Sequence, residues 1–260
     1  MRIILCDKPE DVASYGARLM SQQIKNKPDS VLGLATGSTP IKMYQHVIEQ
    51  VKKGDLSLAA CRSFNLDEYI GLTPDHSQSY RYFMQQNFFN QVDIAVENTF
   101  VPDGFADDIE ASCVDYESKI QQSGGIDWQL LGIGVNGHIG FNEPGSSLRS
   151  RTRVKTLSSQ TIEDNARFFS ADEFQPQLAI TVGIETIMQA RDIVLLATGS
   201  AKAAAVKATA EGPVSASCPA SILQFHPNVK LIVDAEAGQD LEHKQFYLRI
   251  EEETQKLMRY

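Results

Sequence analysis

The stretch Val31-Leu32-Gly33-Leu34-Ala35-Thr36-Gly37-Ser38-Thr39-Pro40 reads as three pieces in succession. An uninterrupted apolar run predicts a strand buried on both faces, since a half-exposed strand would alternate. Thr36, Gly37, Ser38 and Thr39 make a small-residue loop. Pro40 then opens a helix whose apolar positions, Ile41, Tyr44, Val47, Ile48 and Val51, recur at three-to-four spacing. Strand, tight loop and helix in that order form the unit of a parallel sheet, where ligands collect beyond the carboxyl ends of the strands.

Working outward, short apolar runs at residues 3–5, 63–66, 129–133, 179–182, 193–197 and 230–233 alternate with helical patterns. Asp7, followed by Pro9 and Glu10, predicts the cap of a first helix. There is no internal repeat, low-complexity tract or long linker. The expectation is an α/β fold: a single domain over residues 1–260, built on a doubly wound, mostly parallel sheet. Of 260 residues, 42% are hydrophobic and 22% charged, enough for a proper core. The net charge of −9 repels a phosphate backbone, so no nucleic-acid partner is expected. Four scattered cysteines (Cys6, Cys61, Cys113, Cys218) form no C-x-x-C pair. That argues for reduced, buried thiols and against a zinc site. The N-terminal apolar run is too short for a signal peptide, and no run approaches the ~18 residues of a membrane span. A cytoplasmic protein without membrane contact is expected.

Three strand ends carry chemistry. After the first, free amides at a helix N-terminus with Gly37, Ser38 and Thr39 can cradle a phosphate, the plain alternative being a capped turn. No Lys follows in the manner of a nucleotide-triphosphate loop. After the second, Phe64-Asn65-Leu66-Asp67-Glu68-Tyr69 sets two acids side by side. Partial burial would make Asp67 a general base, or it could simply cap a helix; Glu68 would then turn toward a structural partner or solvent. The third is Gly132-Ile133-Gly134-Val135-Asn136-Gly137-His138-Ile139-Gly140-Phe141-Asn142-Glu143. Its formal G-x-G-x-x-G does not make a dinucleotide site, because Gly140, Pro144 and Gly145 interrupt any following helix and residues 148–160 contain no acid. What remains is a polar loop in which Glu143 can orient His138 for proton transfer, with Asn136 beside them.

Basic residues stand out against the acidic average. Arg149, Arg151, Arg153 and Lys155 are spaced by two, which in a strand puts all four on one face, as an anion site or a charged edge. Arg167 lies near the end of a short helical pattern, and Lys202 begins another helix, where a cation opposes the dipole unless an anion or solvent relieves it. His226 reads as a buried, hydrogen-bonded imidazole.

The segments GLATGSTP (33–40), FNLDEYIGL (64–72), GVNGHIGFNEPGSS (134–147) and SRTRVKTL (150–157) resemble the glucosamine-6-phosphate deaminase (isomerase) family, in order and over almost the whole chain. The resemblance implies a modified Rossmann-like fold and conversion of glucosamine 6-phosphate and water to fructose 6-phosphate and ammonia, without organic cofactor or metal. It makes Asp67 the base that takes the C2 proton, and His138, with Asn136 and Glu143, the group that opens the sugar ring. Many members carry Asp in place of Asn136; an amide cannot accept a proton as a carboxylate does, and other members also carry Asn there. Gly37, Ser38, Thr39, Arg167 and Lys202 become the phosphate site. Some relatives are homohexamers activated by N-acetylglucosamine 6-phosphate, and Ser146, Arg153 and Lys155 match the positions that grip that effector. The segment Gly212-Pro213-Val214-Ser215-Ala216-Ser217 instead resembles unregulated, monomeric members, and Tyr247 is the nearest counterpart to an effector-site aromatic. A lactonase-type sugar-phosphate hydrolase and a non-catalytic sugar-phosphate sensor are the competing readings.

Overall fold

The structure is a computed structural model that describes residues 1–157, 162 and 174–257. The run that opens with Val31 is strand β2 (Val31–Leu34), with every residue buried. It lies inside a seven-stranded sheet with β1 (Arg2–Leu5), β3 (Arg62–Asn65), β5 (Thr99–Phe100), β6 (Trp128–Leu131), β9 (Asp192–Ala197) and β10 (Val229–Val233). The spatial order is β1-β10-β9-β6-β2-β3-β5, and every neighbouring pair is parallel. Side chains such as Leu130, Leu131, Val194 and Leu195 are fully buried, each contributing about 1.5–3 kcal/mol of burial free energy.

Helices α1 (Pro9–Asn26) and α2 (Ser38–Lys52) pack on each other and on the sheet. In α1 the buried residues Val12, Ala13, Ala17, Met20 and Ile24 form one stripe. Its cap is Lys8, not Asp7, and the carboxylate of Asp11 accepts the Lys8 N–H at 3.2 Å. A lysine side chain has no acceptor to return, so only that half of the reciprocal cap forms. On α2, Tyr44, Val47 and Ile48 are buried as the periodicity requires, with Ile41 and Val51 half-buried at the flanks.

The run at residues 179–182 departs from expectation. It contributes β8 (Leu178–Thr181), the centre of a separate antiparallel sheet between β4 (Asp67–Tyr69) and β7 (Arg153–Thr156). Four apolar residues fit a strand of either sheet, and periodicity alone does not name the partner. The two sheets join where β3 ends: Leu66 N–H reaches Leu34 O in the large sheet (3.2 Å), while Leu66 O accepts Val182 N–H from the small one (2.7 Å).

From β2 the chain steps to β3 and β5 in one direction; from β6 it steps to β9 and β10 in the other. Strand order therefore reverses between β2 and β6, which are neighbours. In parallel sheets that reversal opens a crevice at the carboxyl ends. Among the described residues no helix is long and apolar enough to cross a membrane. Cys61 and Cys113 are buried as expected, but Cys6 and Cys218 are only partly covered, and all four are free thiols.

Candidate active site

The crevice exists where topology puts it. A cleft of about 230 Å³ lies beyond β2, β6 and β9, lined by residues 36–40, Asp67, Tyr80, His138, Gly140, Thr198 and Lys202, among others. A larger hollow of about 370 Å³ sits at the opposite, amino-terminal strand ends, but Arg2 and Lys230 there are already paired with Glu251 (2.6 Å) and Asp192 (2.7 Å). The chemistry gathers in the smaller cleft.

One wall is the N-terminus of α2. Its cap, Gly37, has φ +113°, a conformation that side-chain-bearing residues rarely adopt, and this turns the chain from strand to helix in one step. Tyr44 Oη donates to Ala35 O at 2.7 Å and ties the helix to the strand end. The amides of Ser38 and Thr39 belong to the first helical turn, and their orphan N–H groups with the helix dipole suit an anion. Opposite, the turn Ser200–Lys202 enters helix Ala203–Ala210 and brings Lys202 to the same cleft. Thr39 Oγ1 and Thr198 Oγ1 lie 3.3 Å apart, joining the two turns.

Asp67 begins β4 at the junction of the two sheets. It is 6% exposed, and no hydrogen-bond donor among the described residues reaches its carboxylate. Burial, and after it the neighbouring Glu68 charge, push its pKa up to about 8. Glu68 leaves the opposite face of the strand and takes four donors from Tyr69, Ser79, Tyr80 and Arg81, so its partner is structural.

The third wall is the loop after β6. No helix follows the three glycines; residues 132–152 run as turns and irregular backbone. His138 packs where a Cβ on Gly134 would lie 2.2 Å from its Cε1, so glycine there makes room for the ring. Asn136 braces the loop from both ends: its Oδ1 accepts the His138 N–H at 3.2 Å, and its Nδ2 donates to Glu143 Oε2 at 2.8 Å. The same Glu143 oxygen lies 3.5 Å from His138 Nδ1, an electrostatic contact longer than a hydrogen bond. Asn136, His138 and Glu143 are thus together, with His138 facing the cleft that holds Asp67.

Arg167 lies outside the described residues, as does its helical pattern. The basic run does not form one four-cation face. Only Arg153 and Lys155 fall within β7, on its half-buried side; Arg149 and Arg151 precede the strand and approach Glu185 (3.6 Å) and Glu117 (3.6 Å). Ser150 holds a turn there, accepting Glu185 N–H at its carbonyl and Ile184 N–H at its hydroxyl. Arg153 donates to Asn142 Oδ1 at 3.0 Å, and Ser146 is buried with no hydrogen bond to its hydroxyl among the described residues. His226 is buried, with Nε2 2.8 Å from Ala190 O. Sequence reasoning missed Tyr80 and Thr198 as cleft residues. Ser79, which caps helix α3 (Tyr80–Asn87), was a readable signal for the first.

The geometry has close relatives. The sequence profile described as glucosamine-6-phosphate isomerases/6-phosphogluconolactonase matches residues 9–232. The chain is 57% identical to glucosamine-6-phosphate deaminase of Shewanella woodyi and 56% identical to that of Cellvibrio japonicus. In each case the alignment covers 99% of this chain and 98% of the relative. A solved structure described as a monomeric glucosamine-6-phosphate deaminase superposes with a TM-score of 0.90 at 44% identity, over 92% of this chain and 100% of that one. A 6-phosphogluconolactonase from Trypanosoma cruzi, at 21% identity and a TM-score of 0.74 over 93% and 97% of the two chains, shares the fold. A relative so similar along its whole length leaves one placement: the chain belongs to the glucosamine-6-phosphate isomerase/6-phosphogluconolactonase family.

Proposed function

We propose that this protein is a glucosamine-6-phosphate deaminase, releasing ammonia as it converts the amino sugar phosphate to fructose 6-phosphate. The single observation that carries the reading is Asp67: a buried carboxylate, with no donor on it among the described residues, opening on the same cleft as an anion-ready helix terminus and an imidazole. The residues at 37–39 and Lys202 hold the phosphate, which relieves the conflict of a cation at a helix N-terminus. His138, steadied by Asn136 and Glu143, moves the proton between the anomeric hydroxyl and the ring oxygen during ring opening. Asp67 then takes the proton from C2 of the open chain, giving an enolamine whose tautomeric imine is hydrolysed by water with loss of ammonia. Anchoring the far phosphate orients C2, so binding energy goes into approach geometry.

Lactone hydrolysis also needs a phosphate site and an imidazole, but not a carbon base at Asp67. Ammonia release from glucosamine 6-phosphate separates the two in one assay. Asp67→Asn should abolish turnover, by about 10³-fold or more, while a sugar phosphate still binds. Turnover equal to the parent would remove Asp67 from the role.

The finer reading concerns assembly. Arg153, Lys155 and the Ser146 hydroxyl, which has no hydrogen bond among the described residues, support a second anion site. Against regulation, the Tyr247 hydroxyl is occupied by Glu211 at 3.0 Å, and the solved relative at 44% identity is described as monomeric. A monomer with hyperbolic rate curves, unmoved by N-acetylglucosamine 6-phosphate, is the expected outcome of sedimentation and steady-state kinetics. A hexamer with sigmoidal curves would establish the regulated type instead.

A further inference from the structure

Two adjacent acids on β4 have opposite surroundings. On an extended strand their side chains leave opposite faces. Asp67 opens on the cleft; Glu68 is 3% exposed on the other side. Glu68 Oε1 accepts the N–H groups of Tyr69 (2.8 Å) and Tyr80 (2.9 Å), and Oε2 accepts the Ser79 hydroxyl (2.8 Å) and the Arg81 N–H (2.9 Å). Tyr80 and Arg81 are the first residues of α3, whose amides have no partner within the helix. Yet α3 already has a cap of its own, since Ser79 Oγ accepts from Arg81 (3.1 Å) and Tyr82 (3.4 Å). What Glu68 adds is a fixed attachment of the helix to the strand that carries Asp67.

That attachment decides where Tyr80 stands. Its ring packs 4.9 Å from Tyr69 and 5.9 Å from Phe141 between centroids, and its hydroxyl donates to Tyr69 Oη at 3.3 Å. Tyr69 follows Glu68 on β4, and Phe141 belongs to the loop that carries His138. One carboxylate therefore ties together the strand of the base, the helix of Tyr80 and, through three rings, the loop of the imidazole.

We propose that Glu68 is a positioning residue for the isomerisation: by clamping the first turn of α3 to β4, it holds the Tyr69, Tyr80 and Phe141 wall at the cleft and fixes the approach of Asp67 to the sugar. This rests on the reading of Asp67 as the carbon base. Glu68 touches no substrate in this role. Its charge is also one of the groups that Asp67 senses. Around Asp67, among the described residues, stand Tyr80 of α3 and Tyr116 of helix α4 (Ile109–Gln122), whose hydroxyls its charge makes harder to ionise, with His138 and Lys202 lining the same cleft; the residue opposite on β8 is the uncharged Thr181.

The test uses the full chain, glucosamine 6-phosphate and rates across the pH range. Glu68→Gln keeps the length and removes the charge; Glu68→Asp keeps the charge and shortens the reach. Both should lower kcat by roughly 10- to 100-fold, since a small misplacement of a reacting group has that effect. KM should stay within about threefold, because the phosphate cradle sits on other elements. The acid limb of kcat/KM should move to lower pH in Glu68→Gln and stay in place in Glu68→Asp. Ser79→Ala, which removes one of the four donors, decides the matter if the Glu68 variants do not fold, with an expected loss in kcat of roughly two- to tenfold. Parental kcat in folded Glu68 variants, or in Ser79→Ala where those fail, overturns the proposal. Asp67→Asn run in parallel keeps the failures apart: full activity there sinks the base reading, whereas a dead Asp67→Asn beside fully active Glu68 variants sinks only the positioning role.

Discussion

At the scale of one residue, the proposed role of Asp67 as carbon base makes its burial legible in both rate and stability. An ordinary aspartate is ionised well below neutral pH, but burial and the adjacent Glu68 charge push this one to about 8. The basic form is then the minor one in the free protein at neutral pH, and kcat/KM should rise with pH through about 8. The sign for stability is opposite. The folded state keeps a proton that the unfolded chain has released above its ordinary value, so stability declines as pH rises from about 4 to about 8 and is level beyond. Asp67→Asn has no charge to bury. It should gain stability at pH 9, on the order of 5 kcal/mol at most, and little at pH 4. Urea unfolding at the two pH values checks this, and equal gains at both would contradict it. The residue types at positions 67, 136, 138 and 143 were legible because each chemistry-bearing side chain sits in an unusual glycine-rich or strand-end context. Tyr80 was not, because its place depends on how α3 docks.

At the scale of elements, the turn into helix Ala203–Ala210 shows how an acid can serve an anion site. Asp234, 2% exposed at the end of β10, accepts Gly199 N–H with both oxygens at 3.1 Å and Ala237 N–H at 2.8 Å. It fixes the turn that presents Lys202. Asp234→Asn keeps one acceptor oxygen but sets an amide donor against the Gly199 N–H in place of the other. We expect KM for the sugar phosphate to rise by roughly tenfold with kcat within about threefold, and a stability loss of about 1–3 kcal/mol. A fall in kcat with unchanged KM would place Asp234 elsewhere in the mechanism. Six of the seven apolar runs read from the sequence became strands of the large sheet, because a strand covered on both faces writes its burial into every position. The seventh became β8, and β4 and β5, at three and two residues, are too short to leave any pattern. The Asp67-Glu68 pair was visible; that it starts a strand in a second sheet was not.

At the scale of the molecule, the cleft is shared between two sheets. The helix terminus and Lys202 stand at the large parallel sheet, Asp67 begins a strand of the small antiparallel one, and His138 lies on the loop between them. Catalytic geometry therefore depends on how firmly the sheets are joined, and Asn142 is a principal knot. It is fully buried; its Nδ2 donates to Ile139 O and Val182 O at 2.9 Å each, and its Oδ1 accepts from Arg153 at 3.0 Å. One side chain links the His138 loop, the end of β8 and the start of β7. Asn142→Ala leaves two buried carbonyls and a guanidinium without that partner, which should cost about 2–4 kcal/mol in urea unfolding. The proposed phosphate cradle lies at the other sheet and keeps its own bonds. Affinity for a sugar-phosphate ligand should therefore change by less than about threefold while kcat drops by roughly 100-fold, as the base and imidazole lose their alignment. Calorimetric binding beside steady-state rates reads the two quantities separately. If affinity falls as far as kcat, the two sheets do not divide binding from proton transfer, and the joint matters only to folding.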